Sequence, residues 1–143
     1  MGTARQIDRD YVTTGKVRVV FKNHAQLGPE SAPSAEAALC AVDQNKFWEF
    51  NDSLSEWLAA GNRGAFAKAN YIALAGQLGL NATTFGQCLD AGKYAQQVKD
   101  ETAESERRGV TATPTFFVNE VKIIGAQPYE VFKAAIDKEL SKP

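Results

Sequence analysis

The sequence predicts an α/β fold in which a block of helices separates the two parts of a small sheet. Three observations carry this. Thr115 to Val118 and Val121 to Ile124 are β-branched and aromatic runs separated by Asn119-Glu120. They follow directly on Thr113-Pro114, which is the pattern of a short hairpin whose first strand opens with a proline. Lys16 to Lys22 alternates in part and reads as a buried strand. Between these segments, apolar residues recur at helical spacing from Pro33 to Arg108.

Taken in chain order, Arg5 to Thr14 reads as the end of a helix with Ile7, Tyr11 and Val12 on its inner side, stopped by Gly15. The strand at 16–22 leads to a loop marked by Gly28-Pro29. Pro33 opens a helical region: Ala35 to Asp43 is alanine-rich, and Phe47, Trp48, Phe50, Leu54, Trp57 and Leu58 continue at helical spacing after a break near Asn45. Spaced aromatics of this kind are core residues first and an exposed peptide groove second. Gly61 to Gly64 reads as a turn and Ala65 to Leu78 as a helix closed by Gly79. Asn81 is placed to cap the helix through Phe85, Cys88 and Leu89 that ends at Gly92. Lys93 to Arg108 reads as a polar helix with Tyr94 and Val98 inward and a solvated, mixed-charge face from Glu101 onward. After the hairpin, Pro128 starts a helix with Tyr129, Phe132, Ile136 and Leu140 on one face.

Composition narrows the function classes. A chain of 143 residues predicts one domain, and 44% hydrophobic residues suffice for one core. Sixteen basic and 17 acidic residues nearly cancel, so no phosphate-binding surface is expected and nucleic acid is not an expected partner. No apolar run reaches the roughly 18–20 residues of a membrane span. The charged stretch Met1 to Asp10 lacks the apolar centre of a signal peptide, which places the chain in the cytoplasm by default. Two cysteines, Cys40 and Cys88, and one histidine, His24, are too few for a Cys/His structural zinc site, so no metal is expected. No cofactor is indicated. Cys40 sits in an apolar helical stretch where a buried inert thiol is the default. His24 reads as a solvated loop residue.

Several segments carry a resemblance. Gly109-Val-Thr-Ala-Thr-Pro-Thr-Phe-Phe-Val-Asn119, Ile123-Ile-Gly-Ala-Gln-Pro-Tyr129, Ala35 to Ala41, Lys46 to Phe50, Gln77 to Leu80, Phe85 to Tyr94 and Tyr11 to Phe21 together resemble DsbA-like thiol–disulfide oxidoreductases. The resemblance runs nearly end to end. It implies a thioredoxin-like fold with an inserted helical domain at about 33–108 and thioredoxin-like parts at 1–24 and 109–143. It also implies protein or peptide thiol substrates and an extracytoplasmic setting, against the cytoplasmic default above.

Two departures qualify it. That family works through a Cys-x-x-Cys at the start of its first helix, and these 143 residues contain none. Aligned on the family, the chain starts one or two turns after that motif, so the expectation is a truncated fold with no catalytic residue and no redox turnover. Glu120 stands where the family usually has Gly, and a two-residue type I′ turn wants Asn-Gly because both residues take positive φ.

The resemblance further implies that Thr113-Pro114 is a cis bond in a loop that pairs with substrate backbone; spacing alone leaves cis and trans open. It implies a structural disulfide between Cys40 and Cys88, with two buried free thiols as the alternative. In the family's topology a central strand separates 17–21 from 115–119. Its absence leaves two apolar edges, for which a homodimer is the expected cover, or else direct pairing of the two strands. The alternatives to an oxidoreductase-family domain are a non-catalytic peptide-binding or assembly module and a relative of kappa-type glutathione transferases.

Overall fold

In a computed structural model, residues 2–61 and 66–143 are described, the Leu58 side chain excepted. The turn expected at 61–64, the helix start at Ala65 and the inward Leu58 thus fall largely outside the described residues. Contacts divide the chain into two compact units, residues 1–22 with 106–143, and residues 23–105.

The first unit begins with helix α1 (Thr3–Ile7), which widens into a π turn at Asp8–Val12. Strands β1 (Thr115–Val118) and β2 (Val121–Ile124) form an antiparallel hairpin with Thr115 opposite Ile124 and Val118 opposite Val121. Helix α7 (Tyr129–Leu140) follows. Tyr11, Ile123, Phe132 and Ile136 are its buried centre, with Ile7, Val17 and Val118 packed around them. Phe116 stands edge-on to Phe132, with ring centroids 4.9 Å apart. The hairpin turn departs from type I′: Asn119 takes φ 53°, whereas Glu120 is not among the residues with positive φ. Asn tolerates the left-handed region, so the turn forms without forcing a Glu there.

The expected strand at 16–22 is not a strand. Among the described residues the sheet has two strands, β1 and β2, and neither the sheet order nor the register includes residues 16–22. Val19 and Val20 are 50% and 59% exposed. β-Propensity records how a side chain fits a pleated, half-buried surface, and without a neighbouring ladder there is no such surface to fit. The direct pairing of 17–21 with β1 therefore does not occur.

The second unit is helical: α2 (Ser31–Val42), α3 (Phe47–Ala59), α4 (Lys68–Gln77), α5 (Ala82–Asp90) and most of α6 (Ala95–Arg107). The alanines of α2 let its neighbours approach closely, and Ala37, Ala41, Phe50, Tyr71, Ala75 and Phe85 are almost fully buried. Phe50 and Phe85 lie 5.2 Å apart between ring centroids. Asn45, at φ 56°, breaks α2 from α3. Asn81 caps α5, its side chain accepting from the Thr84 N–H at 2.9 Å. Among the described residues no helix is long and apolar enough to cross a membrane.

Helix α6 is only partly the solvated element its charges predict. Glu101 is buried, accepting from the Asn23 backbone N–H (3.0 Å) and side-chain amide (2.7 Å) on one oxygen and from Gln97 (2.9 Å) on the other. The Ala25 N–H donates to Thr102 Oγ1, and His24 Nδ1 lies 2.6 Å from Ser105 Oγ. His24 is thus half-buried and held to the helix, not a free loop residue. These bonds fasten 23–25 along one face of α6.

Candidate functional site

The candidate site is the loop from Gly109 to Pro114. Helix α6 ends at Arg107, and Gly109 turns the chain at φ 68°. A Cβ at Gly109 would come within 3.2 Å of Lys122 Nζ, so this position combines a left-handed backbone with a close approach. Lys122 Nζ donates to the Gly109 carbonyl at 2.8 Å. The Arg108 guanidinium lies 3.6 Å from the Phe117 ring centroid, with Lys122 Nζ 5.6 Å away from the same ring. Both cations thereby tie the base of the loop to the hairpin.

The Thr113–Pro114 bond is cis. The Pro114 carbonyl accepts from the Gly125 N–H at 2.7 Å, and Thr115 Oγ1 donates to the Ala112 carbonyl at 2.6 Å. These two bonds hold the loop from both sides of the proline. Thr113 and Pro114 are exposed. Among the described residues, neither the N–H nor the carbonyl of Thr113 has a backbone partner. An exposed donor and acceptor two residues ahead of a strand are groups with which an added extended chain can pair.

Behind the hairpin, α7 is clasped to the π turn by two tyrosine–carboxylate bonds. Tyr11 Oη donates to Asp137 Oδ1 and Tyr129 Oη to Asp10 Oδ2, both at 2.6 Å. Arg9 bridges to Asp10 at 2.5 Å and Lys133 to Asp137 at 2.5 Å. Hydrogen bonds from Arg9 and then Tyr129 lower the Asp10 carboxyl to about 2. The bond to Asp10 raises the Tyr129 phenol to about 12, and burial followed by the bond to Asp137 raises Tyr11 to about 12. Nothing in the sequence pattern announced this clasp, because its partners lie 126 and 119 positions apart.

Cys40 and Cys88 are in the helical unit, not in the unit with Thr113 and Pro114. They form a disulfide with 5.9 Å between Cα atoms, joining α2 to α5. Both cysteines of the sequence are consumed by this bond. Among the described residues there is no group of three or more His, Cys, Asp or Glu side chains placed to hold a metal ion.

The thioredoxin family model matches residues 2–138. Disulfide bond formation protein D of Bacillus subtilis is 27% identical over 94% of this chain and 62% of its own length. The Na(+)/H(+) antiporter NhaA 1 of Salinispora arenicola is 31% identical over 76% of this chain but only 16% of its own. The chain thus spans less than two thirds of the length of these curated relatives. The crystal structure of oxidised BdbD from Bacillus subtilis superposes with a TM-score of 0.81 at 25% identity, covering 96% of this chain and 76% of that one.

Proposed function

This chain belongs to the thioredoxin family, within its DsbA-like disulfide oxidoreductases, and from that premise we propose that its Thr113–Pro114 loop holds an extended peptide or protein thiol substrate while residues 1–143 by themselves carry no disulfide turnover. The observation that carries the first half is the exposed, unpaired backbone of Thr113 on a loop braced from both sides. The observation that carries the second is that Cys40 and Cys88 are bonded to each other. Cys40 is 1% exposed, whereas exchange needs an accessible thiolate to attack the substrate disulfide.

One experiment addresses both halves. Insulin reduction by dithiothreitol is followed with the chain added, and the Thr113 amide is followed by NMR as alkylated insulin B chain is titrated in. The expected results are the uncatalysed rate and a saturable shift of the Thr113 resonance. Acceleration that disappears on Cys40→Ser would overturn the inactive reading. An unmoved Thr113 amide would overturn the substrate loop.

A second reading, a homodimer, is favoured by the apolar run Val19, Val20 and Phe21, all exposed. Exposed apolar side chains favour burial against another surface, and a second copy supplies the same run by two-fold symmetry. Light scattering at micromolar concentration is expected to return twice the chain mass. A mass near 15.5 kDa sinks the dimer.

A further inference from the structure

The helical unit contains a cavity that neither the substrate loop nor the disulfide uses. It is lined by Pro33 and Glu36 of α2, Phe66, Lys68 and Tyr71 at the start of α4, and Leu89 of α5, and its volume is about 350 Å³. That is within the range of roughly 300–1,000 Å³ typical of ligand pockets. Pro33 and Glu36 are one helical turn apart, as are Lys68 and Tyr71, so each helix turns two side chains to the space.

Of the two charged side chains in the lining, Glu36 and Lys68, one is already paired elsewhere. Lys68 is already paired with Asp90. Glu36 is half-buried, and among the described residues it has no ion-pair or hydrogen-bond partner. Glu30 adds a second negative charge close enough to bear on the Tyr71 phenol. The Tyr71 hydroxyl is engaged with Ser34 Oγ at 2.8 Å. The polar group left to meet a ligand is therefore the Glu36 carboxylate, facing walls of Phe66, Tyr71, Pro33 and Leu89.

We propose that this cavity binds a basic side chain of an extended peptide, with its guanidinium or ammonium on Glu36 and its methylene stem against the aromatic and aliphatic walls. A long cationic side chain matches this lining in both parts: it lays its stem on apolar surface and keeps a charged head for a partner. Aromatic rings within about 6 Å of such a head add attraction. A purely apolar side chain would leave Glu36 facing it unpaired. An acidic one would meet Glu36 and would have to compete with Asp90 for Lys68.

The test uses the intact chain and three pentapeptides, acetyl-Ala-Ala-Xaa-Ala-Ala-amide, with Xaa arginine, citrulline or glutamate, titrated by calorimetry or NMR. Citrulline keeps the shape of arginine and removes its charge. The arginine peptide is expected to saturate, and citrulline to bind at least about tenfold more weakly, a difference of about 1.4 kcal/mol. Glu36→Gln is expected to bring the arginine peptide down to the citrulline affinity. Leu89→Trp, which fills the cavity, is expected to abolish both, and the Glu36 variant stands alone if that one does not fold. Equal affinity of arginine and citrulline, tighter binding of glutamate, no saturation by arginine, or an unchanged affinity in Glu36→Gln each overturns the proposal.

Discussion

Replacing both cysteines, Cys40→Ala with Cys88→Ala, is expected to destabilise the helical unit by about 4 kcal/mol. The bond closes a loop with a sequence separation of 48. In the chain-entropy treatment a loop of that length removes about 14 cal/mol/K from the denatured ensemble, or about 4 kcal/mol at 25 °C. That is a large part of the roughly 5–15 kcal/mol that a domain has in total. The folded side of the balance should change less, because α2 and α5 stay packed through Ala37, Ala41, Phe50 and Phe85. Trp48 and Trp57 both lie on α3, so their fluorescence reports this unit during urea unfolding. With m near 2 kcal/mol/M, the midpoint should fall by about 2 M. Wild-type protein unfolded with dithiothreitol present should behave as the variant does. A midpoint within about 0.3 M of wild type at unchanged m would refute the reasoning, since the bond would then not be restricting the denatured chain.

Two further outcomes are expected. Because Asp10 is lowered to about 2 from the ordinary carboxylate range, its contribution to stability is complete above about pH 4 and is lost as pH falls through 2. Tyr11 and Tyr129, raised to about 12, contribute fully below about pH 10 and lose that contribution as pH rises through 12. Asp10→Asn should therefore flatten the acid limb of a midpoint-versus-pH series between 4 and 2; an unchanged limb refutes the clasp. Glu101→Ala should cost about 2–3 kcal/mol by leaving the buried Asn23 amide and backbone N–H without their acceptor. Amide exchange at Asn23 and Ala25 should quicken, and unchanged protection at both would show that the loop is not held by α6.

What the sequence made legible follows from the range of the forces involved. Caps and breaks are local. Asn81 capping α5, the interruption at Asn45 and the hairpin after Pro114 each depend on residues within a few positions, and each could be read from them. Segment 16–22 has the composition of a strand, but a strand also needs a partner, and partner geometry is not written in seven residues. The same limit hid the bonds of Tyr11 to Asp137 and Tyr129 to Asp10. Glu101 shows a subtler failure. Its charged neighbours place it on a solvated face, yet its carboxylate is the acceptor that lets Asn23 be buried.

The site divides along the same line. A local pattern and a family resemblance mark Thr113 and Pro114, but the open backbone of Thr113 and the cations bracing its loop depend on contacts across the fold. The Arg108 guanidinium meets Phe117 nine positions on, and Lys122 reaches back thirteen positions to Gly109. Each of these contacts crosses the loop, so each fixes the distance between the end of α6 and the hairpin. A loop braced in this way presents Thr113 without first having to order itself, and the entropy of binding an extended chain then falls mainly on the incoming peptide. If Thr113 holds peptide as proposed, substitutions at Arg108 or Lys122 should weaken the saturable shift of its amide without touching Thr113 itself.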